Sequence, residues 1–188
     1  MTLTAIKDLW RSLLTRTTDE NSGLSLAVFR IGFGLLVAAS QIRFLAKGWV
    51  EACYLSTDFH FTYAYFEWVK PLAPPAAMYA LVVLSLLAAL CVAAGRCYHP
   101  AATVLFLSFT YLELIEQSWY LNHYYFVSLA AFLLCLVPAN QRLVLGKIRP
   151  PVLLPRLYTD IFRMQNTLVY FYAGLAKLRS DWLSAAQP

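Results

Sequence analysis

Lys177 closes the apolar run Ile161–Leu178 at the point where a helix crossing a bilayer should stop. An ionisable group in or beside hydrocarbon is costly, and such a residue marks a functional site by default. Burial disfavours a charged amine and the neighbouring Arg179 repels one, so Lys177 is a candidate general base. Two plainer readings stand beside it: a lysine that reaches up to the lipid headgroups, or one half of an ion pair with Asp181. Arg163, Asn166, Tyr170, Gly174 and Lys177 share one helical stripe, spaced by three or four residues. Lipid would not solvate that stripe, so it should face the interior of a bundle, with Tyr170 and Gly174 placed to contact whatever Lys177 acts on.

Asn122 and His123 interrupt the apolar pattern in the only very short gap between long apolar runs, Trp119–Tyr125. The imidazole can donate a hydrogen bond to a bound oxygen atom or carry protons; otherwise it is an interfacial loop histidine. Asn122 reads as a ligand anchor or as a helix N-cap. Glu113 and Glu116 lie one turn apart, but no E-x-x-H accompanies them, which argues against a di-iron site. Pairing with Arg43 or Lys177 is the plainer expectation. Arg30 and Arg163 are read as bundle-pairing or inner-interface residues. Cys53, Cys91, Cys97 and Cys135 form neither a C-x-x-C nor a metal-ligand spacing, so no metal site and no structural disulfide is expected. No phosphate-binding loop, nucleophile elbow or dinucleotide fingerprint is present.

The elements that must hold these residues are helices in a membrane. The chain has 188 residues, 60% hydrophobic and only 13% charged, with a mean hydropathy of +0.58. That is too apolar for a soluble domain and fits an all-α, polytopic bundle. Five segments are read as crossing ~30 Å of hydrocarbon: Leu24–Ala46, Pro74–Gly95, Pro100–Leu121, Tyr124–Val137 with its flanks, and Asp160–Leu178. Met1–Thr18 carries Leu3, Ile6, Leu9, Trp10, Leu13 and Leu14 at helical spacing and reads as an amphipathic helix on the inner membrane surface. Asp19, Asn21 and Ser22 are candidate caps for the first span. Within that span Arg30, Gly34 and Gln41 share a face, and Gly32 and Gly34 would allow close approach of another helix.

The flanks that hold Lys7, Arg11, Arg16, Arg96, Arg142, Lys147, Arg149 and Arg156 outweigh the opposite set. By the positive-inside rule the N-terminus is cytoplasmic, and Asn122, His123 and Lys177 fall on the outer or luminal side. The net charge of +5 fits contact with anionic headgroups, and the absence of a dense basic block argues against nucleic acid. Lys47–Ala73 is dense in aromatics, as befits a segment at the interface or folded back over the bundle mouth. The first long apolar run starts too late and is too long for a cleavable signal peptide.

Four stretches together resemble a known family: Leu26-Ala27-Val28-Phe29-Arg30, the Trp68–Pro71 region, Ser118–Tyr125, and Ala173–Trp182. In order along nearly the whole chain they are similar to the HTTM domain, the membrane domain of vitamin K-dependent gamma-glutamyl carboxylase and its bacterial relatives. The resemblance implies a single domain over residues 1–188 that reads as the N-terminal part of a longer protein. It implies a reduced quinone, vitamin K hydroquinone or a relative, with O2 and CO2 as co-substrates. In the family a lysine deprotonates the hydroquinone, whose oxidation drives carboxylation of a glutamate. By motif that lysine corresponds to Lys177, the family's histidine to His123, and a quinone-contacting asparagine to Asn122. The implied partners are lipids, an isoprenoid quinone and a glutamate-containing peptide or protein. Two other classes remain open: a non-catalytic quinone- or lipid-binding module or anchor, and a quinone-linked redox protein that carboxylates nothing.

Overall fold

Gly23 takes a left-handed conformation (φ +63°) and the first helix begins directly after it. This is a cap of backbone geometry, with no side-chain hydrogen bond. Of the expected side-chain caps, Asn21 is corrected by this. Asn21 lies in a short strand, and Asp19 and Ser22 fall outside the described residues. The computed structural model describes residues 20–21, 23–57, 59–119, 122–147 and 153–178. The amphipathic helix expected at Met1–Thr18 therefore lies outside them. The chain divides into two units, residues 22–152 and residues 1–21 with 153–188.

The first unit is a bundle of four helices: α1 (Leu24–Ala46), α2 (Pro75–Ala94), α3 (Tyr98–Ile115) and α4 (Asn122–Leu136). Consecutive helices pack on one another. Pro75 at the start of α2 and Gly95 (φ +71°) just past its end follow the usual asymmetry of helix termini. The α1–α2 contact is the closest. A Cβ added at Gly34 would lie 2.7 Å from the Ala89 carbonyl oxygen and 2.8 Å from the Ala93 nitrogen. Gly34 thus serves the close approach expected of it, whereas a Cβ at Gly32 would meet nothing within 4 Å. Arg30, Gly34 and Gln41 are all buried, as their shared face requires.

Arg30 is fully buried, without a carboxylate partner among the described residues. Its Nη1 donates to the carbonyls of Val92 and Ala93 at 2.5 and 2.6 Å, and its Nε to Ala139 at 3.1 Å. Its Nη2 donates to Leu143 at 2.8 Å and Arg142 at 3.4 Å. The guanidinium therefore caps the C-terminus of α2, the negative end of its dipole, and ties it to the chain that follows α4.

The connection after α1 makes a π-helical turn at Glu51–Leu55 and returns over the bundle end. Val50 and Val69 from this connection are fully buried beside Met78, Val82, Leu112 and Ile115. Its outer aromatics, among them Phe59, Phe61, Tyr65 and Trp68, are exposed. The segment folds back over the bundle mouth, one of the two behaviours expected of it, and leaves these aromatics exposed.

The second unit holds α5 (Leu157–Lys177) and a two-residue antiparallel pair, β1 (Glu20–Asn21) with β2 (Leu154–Pro155). The expected inward stripe on α5 is exposed: every residue from Asn166 to Leu178 is so. Arg163 finds its counter-charge on its own helix, 3.0 Å from Asp160, which removes the need for a partner elsewhere.

Among the described residues two helices, α1 and α2, are long and apolar enough to cross a membrane. α3 has 18 residues, and α4 has 15, which at 1.5 Å per residue falls short of ~30 Å. α5 is long enough, but Asp160, Arg163, Gln165 and Asn166 interrupt its apolar pattern.

Candidate functional site

α1 and α3 end, and α4 begins, at the same end of the bundle. There the residues they contribute, with the connection that follows α1, enclose a cavity of about 610 Å³. That is the size of a small-molecule pocket. Its walls are largely aromatic and aliphatic, with Gln41, Arg43, Glu113, Glu116 and His123 among them. A second cavity of about 490 Å³ runs between α1 and α4, which do not pack closely together. It is lined by Phe29, Phe33, Leu36, Val37, Phe126 and Val127, and its rim residues Gly32 and Leu36 are exposed. Ser40, Arg43, Phe109, His123 and Tyr124 line both spaces. The result is a chamber with polar groups that continues into an apolar groove.

Each polar group is held by its own partner. Gln41 donates from Nε2 to Ser85 Oγ on α2 at 3.3 Å. Ser128 Oγ on α4 donates to Glu113 Oε2 on α3. Neither glutamate forms the ion pair with Arg43 expected from sequence; hydroxyl and backbone donors take that place. The Arg43 guanidinium lies 5.4 Å from the centre of the Trp49 ring, a cation–π arrangement. Burial pushes the Tyr54 phenol well above its ordinary value, so it stays protonated and donates to the Leu112 carbonyl at 3.1 Å. His123 is exposed, its ring 4.5 Å from that of Tyr124.

Glu116 organises the end of α3 and the start of the short turn Gln117–Trp119. The chain leaves α3 at this residue in an extended conformation. The Phe61 N–H donates to both its carboxylate oxygens at 3.3 and 3.2 Å, and the Ser118 N–H to one at 3.0 Å. The Gln117 N–H returns a bond to the Phe61 carbonyl at 2.7 Å. Burial alone would raise the Glu116 carboxyl, but these donors outweigh it and hold it below the ordinary glutamate range. Its contribution is therefore in place above the unfolded-state value and is lost as pH falls through the lower folded value. Glu116→Ala should cost about 1–3 kcal/mol in unfolding at neutral pH, and should show a shallower loss of stability on acidification than the parent. Thermal unfolding of detergent-solubilised protein from neutral pH to about pH 3 checks both. Equal acid dependence in the two proteins would refute the role.

Of the residues singled out by sequence, Asn122 is the first residue of α4 and His123 lines both cavities. Lys177 is the last residue of α5, with Gly174 and Tyr170 about one and two turns before it, all three exposed. Asp181, the alternative partner of Lys177, lies outside the described residues. Ser85, Tyr54, Tyr63 and Ser128 were not singled out as site residues. The aromatic density of Lys47–Ala73 was the available signal for the two tyrosines. Among the described residues no group of three or more His, Cys, Asp or Glu is placed to hold a metal ion. The described cysteines are all free thiols.

No solved structure matches the chain. The family model of the HTTM domain, a domain associated with the membrane part of vitamin K-dependent carboxylase, matches residues 16–188. With nearly its whole length matched in this way, and with apolar helices suited to a membrane, the chain belongs to the HTTM domain family.

Proposed function

We propose that this is a membrane enzyme domain of the vitamin K-dependent carboxylase type, which oxidises a reduced quinone with O2 to drive carboxylation of glutamate. The observation that carries this reading is the two-part cavity. A polar chamber that continues into an apolar groove suits a ligand with an oxygenated ring and a prenyl tail. The residues present fit such a group: Phe29, Phe33 and Val127 offer the tail an apolar surface, while Gln41, Glu113 and His123 offer the ring hydrogen-bonding partners. When bound, a reduced quinone supplies, on oxidation by O2, a base strong enough to remove a gamma proton from glutamate.

The chain's own residues then have separable tasks. Lys177 accepts a phenolic proton at Nζ, a role assigned by its motif. His123 donates to a ring oxygen. Asn122 anchors the ring, and Tyr170 and Gly174 contact the ligand. The connection after α1 lies over the chamber and limits access of water. The domain crosses the membrane five times, with a cytoplasmic N-terminus and the site on the outer or luminal side. A cysteine placed at Tyr125 should then be labelled from outside and one at Lys147 only from the cytoplasm. Labelling of both from one side would overturn this topology.

The test of function is incubation of membranes holding the protein with reduced vitamin K, O2, labelled CO2 and a glutamate peptide. Quinone epoxide together with label in the peptide is the expected result. A non-catalytic quinone- or lipid-binding module is the second reading, favoured by the fact that the bundle unit furnishes the cavity by itself. Binding with neither product would establish it in place of the first. Epoxide without fixed label would mean quinone oxidation without carboxylation.

A further inference from the structure

We infer that Glu113 makes the chamber selective for the reduced, hydroxyl-bearing form of its aromatic ligand. This rests on the quinone reading given above and deepens it. Glu113 lies in the last turn of α3 and lines the chamber. One carboxyl oxygen, Oε2, is taken by the Ser128 hydroxyl, which holds the side chain in place from α4. The other, Oε1, has no protein partner among the described residues, while no ion pair draws the side chain elsewhere.

The neighbouring polar group has the same character. Gln41 is buried, and its amide nitrogen is bonded to Ser85, which leaves its carbonyl oxygen as an acceptor without a protein partner among the described residues. The Tyr54 hydroxyl has given its hydrogen to the Leu112 carbonyl, and its oxygen also remains an acceptor. This wall of the chamber is therefore rich in acceptors whose donor partners are missing.

A quinone carries two carbonyl oxygens and has no hydrogen to give. Set against an ionised carboxyl it meets only repulsion between lone pairs, whereas a protonated one would donate to it, so the discrimination belongs to the ionised form of Glu113. A hydroquinone carries two hydroxyl donors, and a hydroxyl bonded to a carboxylate is among the strong, charge-assisted hydrogen bonds. A buried acceptor that the ligand fails to satisfy is penalised, so one such group separates the two redox forms more sharply than an apolar contact can. Selectivity of this kind would also release the oxidised product. Glu113 is a specificity-determining residue on this account, separate from the base assigned to Lys177.

The test is equilibrium binding of 2-methyl-1,4-naphthohydroquinone, under strict exclusion of oxygen, and of 2-methyl-1,4-naphthoquinone to the full chain in lipid nanodiscs, at about pH 8.5 so that the Glu113 carboxyl is ionised. The parent protein should bind the reduced form at least about 10-fold more tightly. Glu113→Gln keeps the shape and the Ser128 contact but adds a donor, and should bring the two affinities together. Glu113→Leu should lose about 10- to 100-fold for the reduced form and little for the oxidised one. Thermal unfolding of each variant establishes that it is folded, and the near-isosteric glutamine variant serves if the leucine variant is not. Equal binding of both forms by the parent, or selectivity unchanged in Glu113→Gln, would overturn the inference while leaving a quinone site intact. Failure of the parent to bind either form would overturn the quinone reading and this inference with it.

Discussion

Arg30→Leu should destabilise the bundle by at least ~3 kcal/mol. The change strands the carbonyls of Val92, Ala93, Ala139, Arg142 and Leu143, five acceptors now served by one side chain. A buried acceptor left without a donor costs about 1–3 kcal/mol, and relaxation of the loop after α4 would recover only part of the total. Arg30→Lys should not restore the parent, because a single ammonium has three donors at one point and cannot span acceptors on separate segments. Gly95→Ala should give a weaker version of the same defect, since its Cβ would lie 2.8 Å from Arg30 Nη1 at a φ of +71°. Thermal unfolding in detergent measures all three. A leucine variant that melts within a degree or two of the parent would show that these bonds hold little together.

The second large effect concerns turnover. If Lys177 is the base, Lys177→Ala should lower hydroquinone oxidation by ~10²–10⁴-fold, the usual contribution of a general base. Quinone binding and the unfolding temperature should change little, because the residue ends its helix and is exposed. Lys177→Arg should fail to rescue, since a guanidinium stays protonated and accepts nothing. A lysine that only reaches to the headgroups predicts the reverse, because arginine supplies the same interfacial charge. Full activity in Lys177→Arg would therefore remove the base assignment, and with it the main support for a carboxylase mechanism.

The helices were legible where the chain punctuates itself. Gly23 and Gly48 bracket the first helix, and its expected limits, Leu24–Ala46, are the observed ones. Pro75 and Gly95 did the same for the second. The third was expected to run to Leu121 and stops at Ile115, where the Glu116 carboxylate accepts from the N–H of Phe61, 55 residues earlier in the chain. Local pattern carries no trace of such a contact. Arg30 was recognisable as a residue that must face protein, but its partners were not, because a backbone carbonyl has no residue identity to read. Glu113 shows the same limit differently. Its face was right, but Arg43 is not its partner, since the expectation looked there for opposite charge and a serine hydroxyl holds the side chain. The stripe on α5 was sound as periodicity, yet Arg163 is satisfied by Asp160 on its own helix and carries no information about an interior.

The groove between α1 and α4 has a consequence for how affinity should be expressed. A prenylated ligand that reaches the chamber along that groove is supplied from the lipid phase, where nearly all of it resides. Its effective concentration is then a mole fraction in the bilayer. Doubling the lipid at constant protein and ligand should halve the occupancy of a weakly filled site, as though the ligand had been diluted in water. Saturation curves taken at different lipid-to-protein ratios should collapse onto one line only when plotted against ligand per lipid.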